Sequence, residues 1–460
     1  MQFQIQVIVT QDDGTDLPPI EVVTLQRTAL TPETVGLTLA DGKLILSSIQ
    51  ATMTQAQVVV YTDAQQACSI CHHARTRKGL HHLVYRTAFG TLSFPSPRFY
   101  SCPCTPQTSR STSPLATLLG ERTAPELSYL ETKWASLVSY GVTVDLLAEV
   151  LPIHTHPATI QRQVHHVAER VEQAIAAAGP VSIEGCPAQW GRLPQPDEPL
   201  TVSIDGGYVH ARTDTQRKAG CFEVIVAKSI PTDGPSRCMG FVHGYDQQPK
   251  RRLFELLTAQ GLQMNQAITF LSDGGDTVRD LPLYLSPEAN HLLDWFHVSM
   301  RLTVLVQGAK GLKREETRTS VLADLDRLKW FLWHGNLFRA FQVLEDLEAA
   351  VDEEQPTTEG KKITKWVHDF RRYIEINQPF IPNYGVRYHA GEPITSAPAE
   401  STVNQVVSKR MVKQQQMRWT MRGAHLLLQV RTQVLDDQWR RTFTQWYPGL
   451  QTAGGSVAAA

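Results

Sequence analysis

The chain has 460 residues, 42% of them hydrophobic, and a formal net charge of −1. That length suggests roughly two to four domains rather than one core. No stretch reaches the ~18 apolar residues of a membrane span, and the opening "MQFQIQVIVT" lacks the basic region and small-residue cleavage site of a signal peptide. Seven cysteines, an odd number with four clustered, argue against a disulfide framework and for a reducing compartment. A cytoplasmic protein without membrane association is therefore expected. The near-neutral total conceals two basic runs, each with six cations and no acid, over 64–110 and 401–431, and an acidic run with seven acids over 345–359. Either basic run alone reads equally as a solvated face.

In chain order, 1–63 reads as a strand-rich segment of no evident role. It is followed by "CSICHHARTRKGLHHLVYRTAFGTLSFPSPRFYSCPC", with Cys68 and Cys71 as C-x-x-C and Cys102 and Cys104 as C-x-C. Two thiol pairs on tight turns around a hairpin-like segment predict a zinc ribbon over 64–110, since four thiolates form a closed, structural tetrahedral site. His72 or His73 could replace one thiol, and unrelated free thiols are the alternative. Cys186, Cys221 and Cys238 lie singly and are expected outside the site. The hairpin carries Arg75, Arg77, Lys78, Arg86 and Arg98 among aromatic residues, a mixture suited to phosphate contacts.

Helical periodicity occupies 123–179. "APELSYLETKWASLVSYG" and "VTVDLLAEVL" read as two helices, and "IHTHPATIQRQVHHVAERVEQAIAAAG" as a third, with Pro157 in its first turn. A short helix, a tight turn and a longer helix predict a helix-turn-helix, with a plain helical bundle as the alternative. Gln161 and Arg162, near the start of the third helix, are the expected base contacts.

A Gly/Pro-rich linker over 179–199 precedes a region with a different rhythm. Strands are expected at Leu200–Ile204, "CFEVIVAKSI" and "RCMGFVHG", then a helix at "PKRRLFELLTAQG". A strand at Ala267–Ser272, a short helix near Thr277–Leu285 and a strand at "HLLDWFHV" follow. Three strands, a helix, a strand, a helix and a strand is the element order of the ribonuclease H-like fold. In that fold the first and fourth strands lie side by side, which would bring Asp205 and Asp273 together. Each of these aspartates ends an apolar run and is followed by Gly-Gly, in "VSIDGGYV" and "FLSDGGD". A long helical region over 299–385 comes next, then "ITSAPAESTVNQVVSKRMVKQQQMRW". Glu400 opens its helix, with Asn404 and Ser408 expected on the same face.

Two aspartates on strand ends and a glutamate on a helix are the hard oxygen ligands that metal-dependent phosphoryl transfer on DNA requires, with two Mg²⁺ ions, or Mn²⁺, about 4 Å apart. The paired glycines are expected to let backbone and substrate approach the metals closely. Glu392, in "HAGEP", rivals Glu400 as the third carboxylate, but it precedes a proline in loop-like sequence. Asp276 and Asp280 read as ordinary loop acids. Lys409, Arg410 and Lys413, downstream of Glu400, are the expected phosphate contacts.

Taken with the cysteine pairs, "SYGVTVDLLAEVLP", "LLDWFHVSMRL" and "AESTVNQVVSKRM…MRW…GAHLLLQVR", these motifs resemble the DDE transposases of the ISKra-type insertion-sequence family over nearly the whole chain. "DWFH" is similar to the C/D-x-x-H signature of Mutator-like and related transposases, which marks Asp294 and His297 as active-site support beside Asn404. The resemblance implies that Asp205, Asp273 and Glu400 are catalytic. It also implies a multidomain α+β chain: zinc ribbon, helix-turn-helix, then a ribonuclease H-like α/β core (198–298 and 386–447) interrupted by the helical insertion 299–385. The expected partners are the element's terminal repeats, target DNA and further copies of the chain. A nuclease that does not join strands, or a non-catalytic DNA-binding descendant, are the alternatives.

Overall fold

The computed structural model describes residues 1–450 apart from 11–13, 105–109, 178–198, 213–219, 232–233, 264, 276, 279–280, 282–288, 354–357 and 414–416. Expectations about Cys186, Asp276, Asp280 and nearly all of the 179–199 linker therefore lie outside the described residues. The protein is a mixed α/β chain of two compact units, Met1–Val167 with the segment from Gln438, and Ala168–Asp437. None of the described helices is long and apolar enough to cross a membrane.

The first unit begins with an antiparallel hairpin of β1 (Gln2–Val7) and β2 (Ile20–Gln26). The rest of 1–63 is not strand-rich. Leu39–Ala64 is a helix of 26 residues opened by a reciprocal capping box between Thr38 and Asp41. A second hairpin, β3 (Arg77–Thr87) and β4 (Gly90–Tyr100), is joined at its open end by the short β5 (Ser111–Thr112). Gly90 takes φ +134° in the connecting turn, where the Thr87 hydroxyl donates to its carbonyl at 2.9 Å. Val58, Leu83, Phe94 and Leu115 form the small core between this hairpin and the long helix.

The expected helices follow at Pro125–Leu137, Tyr140–Val150 and Pro157–Ala177. Ser139 caps the second by accepting from the Val142 N–H at 3.2 Å. The apolar stripe of the third helix is buried at Ile160, Val164 and Val167. The C-terminal helix Trp439–Trp446 belongs to this unit, so the second ends at Asp437 rather than at the expected 447. The indole N–H of Trp439 donates to Thr132 at 3.1 Å, and Phe443 meets the Tyr129 ring edge-on at 5.6 Å.

The second unit is built on a five-stranded sheet of β6 (Leu200–His210), β7 (Cys221–Ile230), β8 (Cys238–Val242), β9 (Ile268–Ser272) and β10 (Asn290–Leu293), in the order β10-β9-β6-β7-β8. The β6–β7–β8 pairings are antiparallel, and those of β6–β9 and β9–β10 are parallel. Val202, Ile204, Ile225 and Phe270 pack on Leu253 and Leu257 of the helix Pro249–Ala259. Helices Ala397–Val403 and Met421–Leu435 cover the other face, with Leu428 packed on Gly240.

Two strand boundaries differ from expectation. β6 does not stop at Ile204 but pairs with β7 through Gly206 and Gly207 to His210. The expected strand "HLLDWFHV" ends at Leu293, because the Asp294 carboxylate accepts the Phe296 N–H at 2.9 Å and starts the helix Trp295–Ala309. Helices Trp295–Ala309, Glu315–Trp333, Leu337–Asp352 and Thr358–Asn377 then share one apolar core. The helical segment thus begins at Trp295 rather than 299.

Candidate active site

Asp205 and Asp273 are brought together by strand register. The parallel β6–β9 ladder pairs Leu200 with Ile268 and Ser203 with Leu271. Continuing that offset sets Asp205 opposite Asp273, just beyond the last paired residues. Asp205 lies within β6, against Val226 of β7, with 7% of its surface exposed. Asp273 begins the loop after β9. The Gly206 N–H donates to the Asp205 carboxylate at 2.8 Å, and the Gly275 N–H to that of Asp273 at 2.9 Å.

The glycines have a packing role that the sequence reading did not foresee. A Cβ at Gly207 would lie 2.8 Å from Val403 Cγ1, so the helix carrying Glu400 is seated directly on β6. A Cβ at Gly274, where φ is +84°, would lie 2.3 Å from Asn377 Oδ1 and 2.8 Å from Leu293 Cδ1. The expected clearance for substrate is, at these two positions, clearance for neighbouring side chains.

Glu400 is exposed in the first turn of the helix Ala397–Val403. It is close enough to act on Asp205. Burial, chiefly, and then the charges of Asp273 and Glu400 push the Asp205 carboxyl up to about 6, against the Gly206 N–H and the charge of His297. Glu392 is instead paired with Arg387 at 2.5 Å, at the end of the helix Tyr384–His389. Among the described residues, groups of three or more ligand atoms within 4.8 Å of one another occur at two other places, treated below.

Asp294 and His297 form a bonded pair. Asp294 is fully buried and accepts from His297 Nδ1 at 2.7 Å. Burial disfavours the charged imidazole, but the Asp294 hydrogen bond and charge, with Asp205 and Asp273 behind them, outweigh it and raise its pKa. Asp294 also accepts from the backbone N–H of Ser396 at 2.8 Å and from its hydroxyl. Ser396 is the residue before the Glu400 helix, so one buried carboxylate ties β10, the helix Trp295–Ala309 and the Glu400 helix together. Ser396 was missed in the sequence, although a serine just ahead of "APAE" is a helix-start signal.

Asn404 does not continue a regular α-helical face. Asn404–Val412 is π-helical, and the Lys413 ammonium reaches Asn404 Oδ1 at 2.9 Å. The wider turn breaks the four-residue spacing expected for Glu400, Asn404 and Ser408. It also buries Arg410 completely, with its guanidinium 5.2 Å from the centre of the Trp419 ring. Arg410 is therefore not a surface phosphate contact, whereas Lys409 and Lys413 are exposed. Arg431, of the same basic run, is buried too and donates to the Val406 carbonyl at 2.7 Å.

In the first unit the four expected cysteines converge. Cys68 and Cys104 sulfurs lie 3.4 Å apart, Cys71 and Cys102 3.3 Å, and Cys102 and Cys104 3.2 Å. All four lie within 4.8 Å of one another, close enough to share one metal ion. His72 takes φ +56° in the first turn, where the Cys68 N–H donates to the His73 carbonyl at 2.9 Å. The Cys71 and Ile70 N–H groups, then the Cys104 thiol, bring the Cys68 thiol down to about 5, which favours the thiolate a metal binds. Neither histidine joins the set. Arg86, counted with the phosphate-contacting residues, instead pairs with the fully buried Glu131. Arg162 is exposed and folds back onto its own helix, with Nε donating to the Ala158 carbonyl at 3.3 Å, and Gln161 is half-buried.

Glu172, Asp246 and His425 form the other close group, one that the sequence did not suggest. Their spacing could hold a metal ion, but Arg252 already sits among them. It donates to Asp246 at 2.6 Å and to Glu172 at 2.7 Å, with Nη2 3.2 Å from His425 Nε2. The guanidinium supplies the positive charge, which makes this a structural ion network. Comparison of the sequence with family models and with curated proteins gives no match.

Proposed function

We propose that the chain is an insertion-sequence transposase of the DDE class, similar to the ISKra-type family. One observation carries this reading: the β6–β9 register sets Asp205 opposite Asp273, while the Glu400 helix packs on the same strand through Gly207. The sheet order, with three antiparallel strands followed by two parallel ones, agrees with a ribonuclease H-like core. The helical layer between β10 and the Glu400 helix fits an insertion into that core. Fold alone does not assign activity, so the weight rests on the carboxylates.

The residues fit divalent cations. Asp205 is buried beside two further carboxylates, a surplus of negative charge that His297 offsets only in part. Carboxylates on two neighbouring strand ends and a facing helix are the kind of set that two ions share. Asp205, Asp273 and Glu400 would hold two Mg²⁺ ions, or Mn²⁺. When bound, such ions lower the pKa of an attacking water or 3′-hydroxyl and stabilise the leaving oxygen. The protein's own part is to fix these ligands: Gly275 orients Asp273, Gly206 orients Asp205, and Asp294 anchors the Glu400 helix through Ser396. The four cysteines would hold a structural Zn²⁺. Lys409 and Lys413, exposed downstream of Glu400, would hold DNA phosphates, and pairing two element ends calls for more than one copy of the chain.

The test is purified protein with duplexes carrying its element's ends and Mg²⁺, with nicked and joined products resolved on a sequencing gel. Wild type should cut and join, Glu400→Gln should bind but do neither, and Glu392→Gln should stay active. Cutting without joining would identify a nuclease. An inactive Glu392→Gln beside an active Glu400→Gln would move the third carboxylate.

A further inference from the structure

Tyr373 and Arg301 link the helical layer to the Asp273 loop, and neither stands out in the sequence. The Tyr373 hydroxyl, on the helix Thr358–Asn377, donates to the backbone carbonyl of Asp273 at 3.0 Å. One turn further on, Asn377 donates to the Tyr373 carbonyl at 2.9 Å and fills the space beside Gly274. The loop carrying Asp273 is thus held from one helix at two points. The other side of the Tyr373 ring contact is a cation: the Arg301 guanidinium carbon lies 4.1 Å from the ring centre. Arg301 belongs to the helix Trp295–Ala309, four residues after His297, so the two occupy one helical face. Through Tyr373, which it overlies and which bonds the Asp273 carbonyl, Arg301 stands next to the Asp273 loop.

Arg301 differs from its neighbours in how its charge is met. Arg318, Arg327, Arg371 and Arg387 of the helical layer are each paired with a carboxylate, and Arg339, near the Phe338 ring, donates to Gln342. Arg301 is exposed and rests on an aromatic face instead. Stacking fixes the plane of a guanidinium, and a guanidinium has five N–H donors, enough to meet Tyr373 and still grip a phosphate through two of them. A cluster of carboxylates meant to work on DNA also needs a nearby cation to hold the polyanion against it.

We propose that Arg301, stacked on Tyr373, binds a DNA phosphate beside Asp273, and that Tyr373 is a positioning residue for both. This rests on the reading of the chain as a DNA phosphoryl-transfer enzyme. Because stacking supplies only direction, lysine at 301 retains the charge and loses the two-donor grip.

The test measures binding of wild type, Arg301→Ala, Arg301→Gln and Arg301→Lys to a fluorescent duplex in Ca²⁺ across a salt series, and their cleavage of end DNA in Mg²⁺. For wild type, log affinity falls with log salt, and losing one phosphate contact should flatten the slope by about 0.9. Arg301→Ala and Arg301→Gln should show that flattening, and cleavage should fall about 10- to 100-fold. Arg301→Lys should keep the wild-type slope, with cleavage between wild type and alanine. Tyr373→Phe should keep the slope while lowering the cleavage rate at saturating DNA. Unchanged slope and cleavage in both neutral variants overturns the Arg301 assignment while leaving the proposed function standing. Failure of wild type itself to bind and cut DNA overturns the functional reading beneath it. Loss of cleavage with the wild-type slope kept in Arg301→Ala and Arg301→Gln assigns Arg301 a purely structural role and likewise overturns the proposal.

Discussion

A Cβ atom added to Gly207 would lie 2.8 Å from Cγ1 of Val403, so the strand carrying Asp205 and the helix carrying Glu400 meet through a glycine. Methyl groups at Gly206, Gly207 and Gly274 should therefore differ in effect. At Gly206 the nearest atom, 3.0 Å away, is the far end of the Glu223 side chain, whose contacts to Thr277 and His243 are long enough, at 3.4 and 3.7 Å, to let it swing aside. At Gly207 the helix itself must move, and overpacking of that kind destabilises by about 1–3 kcal/mol. At Gly274 the clash at 2.3 Å adds to a backbone at φ +84°. Chemical denaturation should rank Gly274→Ala as the most destabilised, then Gly207→Ala, with Gly206→Ala near wild type. Equal effects at 206 and 207 would mean the helix does not sit on β6.

Asp205 predicts a stability change opposite to that of most core substitutions. Its carboxyl is raised from 3.8 to about 6, mainly by burial and then by the charges of Asp273 and Glu400, against the Gly206 N–H and His297. A raised folded-state pKa favours the fold fully below about 3.8, and that contribution is lost as pH rises through about 6. Above it, ionised Asp205 weakens the fold, by up to about 3 kcal/mol for such a displacement. Asp205→Asn should therefore be the more stable protein at pH 8 without divalent metal, by about 1–3 kcal/mol on that basis. It should show no such advantage at pH 4. Added Mg²⁺ should stabilise wild type but not the variant, because binding to the folded state alone shifts the equilibrium. Urea melts at both pH values, with and without MgCl₂, decide it, and an advantage that persists at pH 4 rules out the charge as its source.

Some of this site was legible in the sequence and some was not, for physical reasons. Asp205 and Asp273 were legible because a parallel pair keeps one register, so two apolar runs that each end on Asp-Gly-Gly align. The cysteine pairs were legible because short spacings leave thiols little freedom. Arg410 was misread because a basic run looks like a solvated face, and a π-helical turn rotates side chains out of the α-helical sequence pattern. The helix Leu39–Ala64 was hidden because it buries only Val58, so it has no apolar stripe to read, although Thr38 and Asp41 carried its capping signal. Tyr373 and Arg301 could not be found at all, since their meaning lies in contacts across 100 residues or with another helix.

The cysteine cluster makes a prediction about metal content. Four sulfurs within 4.8 Å of one another should take one Zn²⁺ ion per chain, measurable by elemental analysis of purified protein. Cys68→Ser with Cys71→Ser should lose it, and Cys221→Ser should keep it, because Cys221 stands on β7 outside the group. Chelation should leave 64–110 open to protease while the five-stranded sheet stays resistant. Zinc content unchanged in the double variant would remove these residues as the ligands.

Asp294 should be the most sensitive acid around the candidate site. It is fully buried and accepts from Phe296 N–H at 2.9 Å, His297 Nδ1 at 2.7 Å, Ser396 N–H at 2.8 Å and the Ser396 hydroxyl. Burial alone would raise its pKa, but bonds from His297, Ser396 and Phe296 outweigh that and hold it below its ordinary 3.8. A lowered folded-state pKa contributes stability that is present above about 3.8 and is lost as pH falls through the folded value. Asp294→Asn keeps the shape but turns one acceptor into a donor facing donors, and breaking a buried charged network in this way costs about 3–5 kcal/mol. Ser396→Ala removes one bond to a charged group, of about 1.5–3 kcal/mol, and leaves the backbone N–H contact in place. Because both substitutions act on the same contact, their effects should fall short of additive by about 0.5–3 kcal/mol in a double-mutant cycle. The acid limb of the wild-type stability curve should also flatten in Asp294→Asn. Additive losses and an unchanged acid limb would mean that Asp294 does not anchor the Glu400 helix, and the fixed position of Glu400 would then need another cause.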